Sequence, residues 1–304
     1  MTFDPREPFL WHTGRQHGLS DRRLRSGEFV RLGYGVYLSA DVTVDALIEA
    51  KAAVLVGGPH SFASHHQAAK LWGGVVPQSD LLHSSVPGRS SRTERRDARA
   101  HASQRAPRRF RGLSVTTPED TFLDLADRLG LVDLVVLADS LIRRQRTTPD
   151  ALVEAAQSSL SAAPRLARRA ASLARSGVDS PMETRARLLR VLAGLPELET
   201  DLRFYDQHGE LMRRLDAGDR ATRTAVEYDG RHHIQREGQW EGDLQRREGF
   251  EDDGWRIVTL ISPDIFQHPG HTVNRLARIF QDRGMAFGAL SDEWRRYFPG
   301  QDRA

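Results

Sequence analysis

The sequence predicts an α/β protein with an N-terminal unit of two helices and two strands, a small α/β middle domain and a C-terminal mixed sheet flanked by helices. The main observation is the order of periodicities from about Val178 to Phe280, which runs helix, three strands, helix, strand, helix. A second is the start of the chain, where Phe9 to Leu38 reads as two short helices followed by two short strands. The third is bulk composition: 304 residues with 39% apolar and 28% charged content describe an ordinary globular protein with length for two or three cores.

Composition also excludes chemistries. With no cysteine, disulfides, thiolate zinc sites and cysteine nucleophiles are ruled out, so a metal would have to sit on carboxylates, carbonyls or imidazoles. No apolar run approaches the roughly 20 residues needed to span a bilayer. The start Met1-Thr2-Phe3-Asp4-Pro5 is unlike a secretory signal, so a cytoplasmic protein without membrane contact is expected. The formal charge is +3, and its positive part is almost all arginine, since Lys51 and Lys70 are the only lysines. Arginine suits bidentate phosphate contact, but genomic base composition produces the same bias, so charge alone does not establish nucleic-acid binding.

In residues 1–44, Gly18 breaks a first helix and Ser20 caps a second from Asp21 to Arg25. The strands Phe29-Val30-Arg31-Leu32 and Gly35-Val36-Tyr37-Leu38 follow, joined at Gly33-Tyr34. This is the order of a winged helix-turn-helix, in which the second helix enters the major groove of DNA; here it offers Arg22, Arg23 and Arg25. The bland alternative is a helical hairpin with a solvated basic face. In residues 45–157, helices are expected at Val44 to Leu55, Ser64 to Leu71, Glu119 to Leu129 and Leu131 to Arg143, with strands near Leu81 to Val86 and Leu113 to Thr116. The tract Arg89 to Arg111 is read as an arginine-rich loop, and Arg95 and Arg96 within it are candidate phosphate contacts. His65 and His66, just after the capping Ser64, are expected to fill surface or core roles rather than bind metal. Residues 158–177, rich in Ala, Ser and Arg, read as a helical linker to the domain at 178–304.

That last domain carries the chemistry. Ser180-Pro181-Met182-Glu183 makes a capping box opening a helix to Gly194, which by itself accounts for Glu183. A hairpin follows, Leu202 to Tyr205 and Leu211 to Leu215, turning through Asp206-Gln207-His208-Gly209, with Asp216 closing its second strand. In the next strand, Thr224 to Gly230, alternation puts Val226 and Tyr228 on one face and Ala225, Glu227 and Asp229 on the other. Two carboxylates on one face of a central strand are costly to bury unless a cation or hydrogen-bond donors compensate them, which points to a metal. His232 and His233 come next, then a helix from about Gln235 to Asp253 stopped by Gly254, a strand Trp255 to Ile261, and a closing amphipathic helix His271 to Arg283.

The spacing of Asp216 and Glu227, the run Glu227-Tyr228-Asp229-Gly230 with His233, Asp243 with Arg246, and Gly254-Trp255-Arg256 together resemble PD-(D/E)XK, or restriction-endonuclease-like, domains related to the very-short-patch repair (Vsr) endonuclease. Such domains are common at the C-terminus of actinobacterial proteins. More loosely, the first half resembles the AbiEi-type antitoxin arrangement of a winged helix and a small α/β domain. The resemblance implies a magnesium-dependent DNA endonuclease or nickase in repair or defence, with manganese able to substitute. Asp216 and Glu227 would be metal ligands, Glu183 would complete the site, and Asp229 stands where the motif has lysine. His233 is the best substitute base and Arg246 the residue to hold the scissile phosphate, although a salt bridge to Asp243 also explains Arg246. The candidate catalytic set is thus Asp216, Glu227, Asp229, His233, Glu183 and Arg246. A single cluster per chain cuts one strand, so double-strand cutting would need a homodimer or two visits. A different expectation is a DNA-binding transcriptional regulator or antitoxin in which the winged helix does the work and the nuclease-fold domain is inactive; the missing lysine supports another, a structure-specific RNA or DNA binder that has lost catalysis.

Overall fold

The computed structural model describes residues 3–88, 95–158, 162–230, 249–250 and 252–300. Among the described residues the chain is mixed α/β with three sheets, and it divides into two compact units: Met1–Leu129 with Arg144–Leu173, and Gly130–Arg143 with Ala174–Ala304.

The first unit begins with β1 (Phe9–Leu10), α1 (Trp11–Gln16), α2 (Asp21–Leu24), β2 (Phe29–Gly33) and β3 (Val36–Ser39). Ser20 caps α2, its Oγ accepting the Arg23 N–H at 3.2 Å, as the sequence predicts. Phe9 and Leu10, expected to start a helix, instead pair with Tyr37 and Val36 and complete a three-stranded antiparallel sheet in the order β1-β3-β2. Apolar burial fixes this piece: Leu24 is the inward residue of α2 and packs with Phe9 and Leu19, with Phe29 and Tyr37 at the margin.

Next come α3 (Ala46–Gly57), β4 (Phe62–Ala63), α4 (His65–Trp72), β5 (Leu82–Pro87), β6 (Ala98–Ser103), β7 (Arg108–Phe110), β8 (Leu113–Val115) and α5 (Pro118–Leu125). Their five-stranded mixed sheet runs β6-β5-β4-β8-β7. The arginine-rich tract is therefore not one loop, since it carries both edge strands. In β6, Ala98 and Ala100 face inward while Arg99 is exposed, and an edge strand tolerates such outward charge. Arg105 is spent internally, its guanidinium donating to Asp120 and Asp124. His65, His66 and His83 are buried; the rings of His65 and His83 stack with that of His101, and His66 stacks on His83. His83 Nδ1 lies 3.0 Å from His101 Nε2 and His83 Nε2 lies 3.0 Å from Ser79 Oγ. Burial, reinforced by the neighbouring histidines, pulls His83 down to about 3 and His65 well below its ordinary value, so these are neutral core imidazoles near pH 7. The unit closes with α7 (Pro149–Ser158) and α8 (Pro164–Leu173), which pack on each other, so the segment read as a linker contributes a helix to a core.

The second unit takes α6 (Leu131–Arg143), a helix the sequence placed in the middle domain, together with α9 (Pro181–Leu192), β9 (Glu199–Tyr205), β10 (Leu211–Asp219), β11 (Thr224–Tyr228), β12 (Arg256–Leu260), α10 (Ser262–Phe266) and α11 (Pro269–Asp282). Its sheet runs β12-β11-β10-β9, antiparallel except for the parallel pair β11 and β12. A parallel pair needs a connection that crosses a face. Phe250 and Trp255, from the end of that connection, pack with Leu202, Leu215 and Ala225. The expected helix from about Gln235, with Trp240, Asp243 and Arg246, lies almost wholly outside the described residues.

A buried ionic network ties α6 to α9. The Asp139 carboxylate, 2% exposed, accepts from Arg187 Nη2 at 2.8 Å, Thr184 Oγ1 at 2.9 Å and the Arg175 N–H at 2.8 Å. Burial raises the Asp139 pKa, and these three donors offset that penalty. One turn along α9, Arg190 is 1% exposed, and its Nε and Nη2 have no hydrogen-bond partner among the described residues. Burial, then repulsion from Arg187, lowers its pKa to about 10. The two arginines should respond oppositely to an apolar replacement of similar length. Arg187→Met strands a buried carboxylate and is expected to cost about 3–5 kcal/mol, whereas Arg190→Met removes a buried charge with two unsatisfied donors and should be neutral or stabilising. Urea unfolding of both variants checks this; equal losses would contradict it.

Candidate functional site

The acidic residues of the second unit gather where α9 meets the ends of β10 and β11. The α9 N-terminus is set by its cap: Ser180 Oγ accepts the Glu183 N–H at 3.1 Å, and the Glu183 carboxylate accepts the Asp179 N–H at 2.8 Å. The capping role expected of Glu183 is met, though its side chain reaches one residue beyond the cap itself. Strand β10 runs past Asp216 to Asp219, further than the sequence suggested, and pairs with β11 through Ala217–Val226, Gly218–Ala225 and Asp219–Thr224. Continuing that register by one step sets Asp216 across from Glu227. There Asp216 Oδ2 accepts the Tyr228 N–H at 2.9 Å, so its carboxylate lies in the gap between the strands, where a backbone carbonyl would otherwise stand.

This placement has two consequences. Asp216 reaches the α9 side of the sheet, where it lines a crevice of about 20 Å³ with Glu183, Thr200, Arg187 and Arg190, room for about one water-sized occupant. It also adjoins β11, whose Glu227 and Asp229 are half-buried and by alternation share the face opposite Val226 and Tyr228, the two β11 residues that line the crevice. The Asp229 N–H donates to the Leu260 carbonyl at 2.8 Å, which fixes the end of β11 against β12. Burial raises the Glu183 pKa, and the Asp216 charge raises it further against the pull of the Asp179 amide. Such mutual repulsion among half-buried carboxylates is what a cation relieves.

On the other flank of β10, Asp201 of β9 falls across from Asp216 by register and adopts a left-handed backbone, φ 55°. A non-glycine residue in that region within a strand is an uncommon conformation, of the kind that clusters at functional sites. Its carboxylate pairs with Arg203 at 2.7 Å and with Arg214.

The sequence-predicted set is thus partly assembled. Asp216, Glu227, Asp229 and Glu183 share one end of the sheet, while His233 and Arg246 lie outside the described residues. No three His, Asp or Glu side chains form a metal-holding group among the described residues. That is compatible with magnesium, which takes one or two protein carboxylates and completes its shell with water and substrate phosphate. Arg187 and Arg190 at the crevice escaped the sequence reading, because charged residues on a helix are by default expected outside.

In the first unit, α2 is a single turn, shorter than a helix that lies along a groove. Arg23 is tied to Glu28 at 2.7 Å, leaving Arg22 and Arg25 exposed. Arg95 donates to Asp97, whereas Arg96 is exposed and makes no ion pair among the described residues. No helix among the described residues is long and apolar enough to cross a membrane.

No protein-family model matches the chain. It is similar to two uncharacterized proteins of Mycobacterium tuberculosis, MT2308 of strain CDC 1551 and Rv2248 of strain H37Rv, each 27% identical over 270 residues, 88% of this chain and 97% of the relative. That alignment is longer than either unit, so the likeness extends through both.

The raised Glu183 pKa makes a signed prediction. A carboxyl whose folded pKa exceeds its unfolded value stabilises at acid pH and loses that contribution as pH rises through the carboxylate range. Relative to Glu183→Gln, which keeps an acceptor for Asp179 without the charge, the wild type should lose stability between about pH 4 and 7. Parallel stability curves from urea unfolding at the two pH values would contradict this.

Proposed function

We propose that the chain is a magnesium-dependent DNA endonuclease or nickase of the PD-(D/E)XK, Vsr-like type, with an N-terminal winged-helix half that contacts DNA. The observation that carries the reading is the Asp216 carboxylate held between β10 and β11, one register step from Glu227 and close enough to Glu183 to raise its pKa. Asp216 and Glu227 would hold the metal, and the Tyr228 carbonyl is a further candidate ligand. Bound there, magnesium supplies charge neutralisation at phosphate and a more acidic water.

The remaining roles belong to the chain. Glu183, with its raised pKa, would take or give a proton at the water's side of the site. His233 is proposed as general base in place of the lysine whose position Asp229 holds, and Arg246 as the guanidinium on the scissile phosphate. Arg22, Arg25 and Arg96 are exposed and available to backbone phosphates, while Arg23 and Arg95 would first have to leave their carboxylate partners. Manganese should substitute for magnesium, and a homodimer would allow both strands to be cut.

Asp229 at the lysine position favours a second reading, a DNA-binding regulator or antitoxin whose nuclease-fold domain is inactive. Incubation with supercoiled, mismatched, uracil-containing and single-stranded DNA separates the two. With manganese the wild type should yield product that EDTA abolishes, and Glu227→Ala and Asp216→Ala should lower the rate at least about 100-fold with duplex affinity retained. Equal product from wild type and Glu227→Ala on every substrate would overturn the nuclease reading and leave the regulator.

A further inference from the structure

A cleft of about 740 Å³ in the first unit is lined by Arg31, Leu32, Gly33, Tyr34, Arg95, Arg96 and Asp97, a volume in the range of small-ligand sites. At its centre Tyr34, on the tip of the β2–β3 hairpin, is 72% exposed, the most exposed large hydrophobic residue described. The guanidinium carbons of Arg31 and Arg95 lie 5.1 Å and 5.8 Å from its ring centroid.

The tip is fixed rather than loose. The Tyr34 N–H donates to the Asp97 carboxylate and its carbonyl accepts from Arg95. Gly33 permits that approach, because a Cβ there would sit 2.7 Å from the Asp97 carboxylate, and Gly35, at φ 69°, makes the turn. An aromatic ring is therefore presented to solvent on a pinned backbone.

The charges are unequal. Asp97 is consumed by Arg95 and the Tyr34 amide. Arg31 bonds only its own hairpin, Nε donating to the Gly33 carbonyl at 3.0 Å, and neither Arg31 nor Arg96 forms an ion pair among the described residues. A flat π surface beside two guanidiniums that form no ion pair among the described residues matches one nucleotide unit, the base on the ring and the phosphate on the arginines.

We infer that the Tyr34 cleft binds an unstacked nucleotide of single-stranded or locally opened DNA, with Tyr34 as the stacking platform and Arg31 and Arg96 as the phosphate contacts. This deepens the reading that the chain acts on DNA, and it names the substrate class as one with an accessible base. A paired base cannot present its face to Tyr34, so an intact duplex engages only the arginines. The single-turn α2 is consistent with recognition centred on this tip instead of on a helix in the major groove.

The test is binding of the full chain in EDTA, where cleavage is silent. The probe is an oligothymidine strand carrying one 2-aminopurine, compared with the same strand fully paired. The wild type should bind the single strand more tightly and quench the 2-aminopurine. Tyr34→Ala should weaken single-strand binding about tenfold with little change for duplex, Tyr34→Phe should retain it, and Arg96→Ala should lower the salt slope by about one. Unchanged single-strand affinity in Tyr34→Ala, equal losses for both probes, or no single-strand binding by the wild type would overturn the inference. Tyr34-dependent binding without manganese-dependent cleavage would sustain it while the nuclease reading fails; cleavage without Tyr34 dependence would do the reverse.

Discussion

The hydrogen bond from the Tyr228 amide to the Asp216 carboxylate is the constraint on which the account of the second unit depends. It puts a side-chain oxygen where a sheet would ordinarily place a carbonyl, so the antiparallel pairing of β10 and β11 ends with a charge in the gap. Once that charge is fixed there, Glu227 is its neighbour by register and Glu183 its neighbour through α9. Glu183 and Asp216 then line one crevice on the α9 side of the sheet, with Glu227 across from Asp216 by register. Repulsion between carboxylates is tolerated at such a place only where solvent, donors or a cation answer it.

The surroundings sharpen this picture. Arg187 is matched by Asp139, but Arg190 carries a positive charge into the core with Nε and Nη2 lacking hydrogen-bond partners among the described residues, and both line the crevice that Glu183 and Asp216 also line. A protein optimised for stability alone would have an apolar residue in place of Arg190. Together with the left-handed Asp201 across from Asp216, the site concentrates two departures from local stability at one sheet end, the pattern expected where function is served at stability's expense.

Much of this was legible in the sequence, and the parts that were not have physical reasons. Ser180 and Pro181 announced the start of α9, and the β10 and β11 strands were visible from alternation and turn residues. The extension of β10 to Asp219 was hidden because Ala217 and Gly218 carry no strong strand preference. Ala98 to Ser103 alternates small and polar residues, but Arg99 and the arginines flanking the segment made a solvated loop the natural reading, and only the sheet reveals it as an edge. The burial of Arg187 and Arg190 could not be read, since Arg187 depends on Asp139 of α6, distant in sequence, and Arg190 is buried with two donors unsatisfied. Tyr34 looked like a turn residue; its exposure and its arginine neighbours come from tertiary packing. For Asp216, Glu227, Asp229 and Glu183 the sequence indicated a shared neighbourhood; the register sets Glu227 across from Asp216, and the crevice brings Glu183 to Asp216. Their chemistry rests on the motif resemblance.

The most direct test of the central claim is manganese binding followed by electron paramagnetic resonance, in wild type, Asp216→Asn and Glu227→Gln, without nucleic acid. The account predicts one manganese site per chain, displaced by magnesium and weakened at least about tenfold in each variant, because each removes a charged oxygen donor. Manganese affinities that are indistinguishable among the three proteins would contradict it.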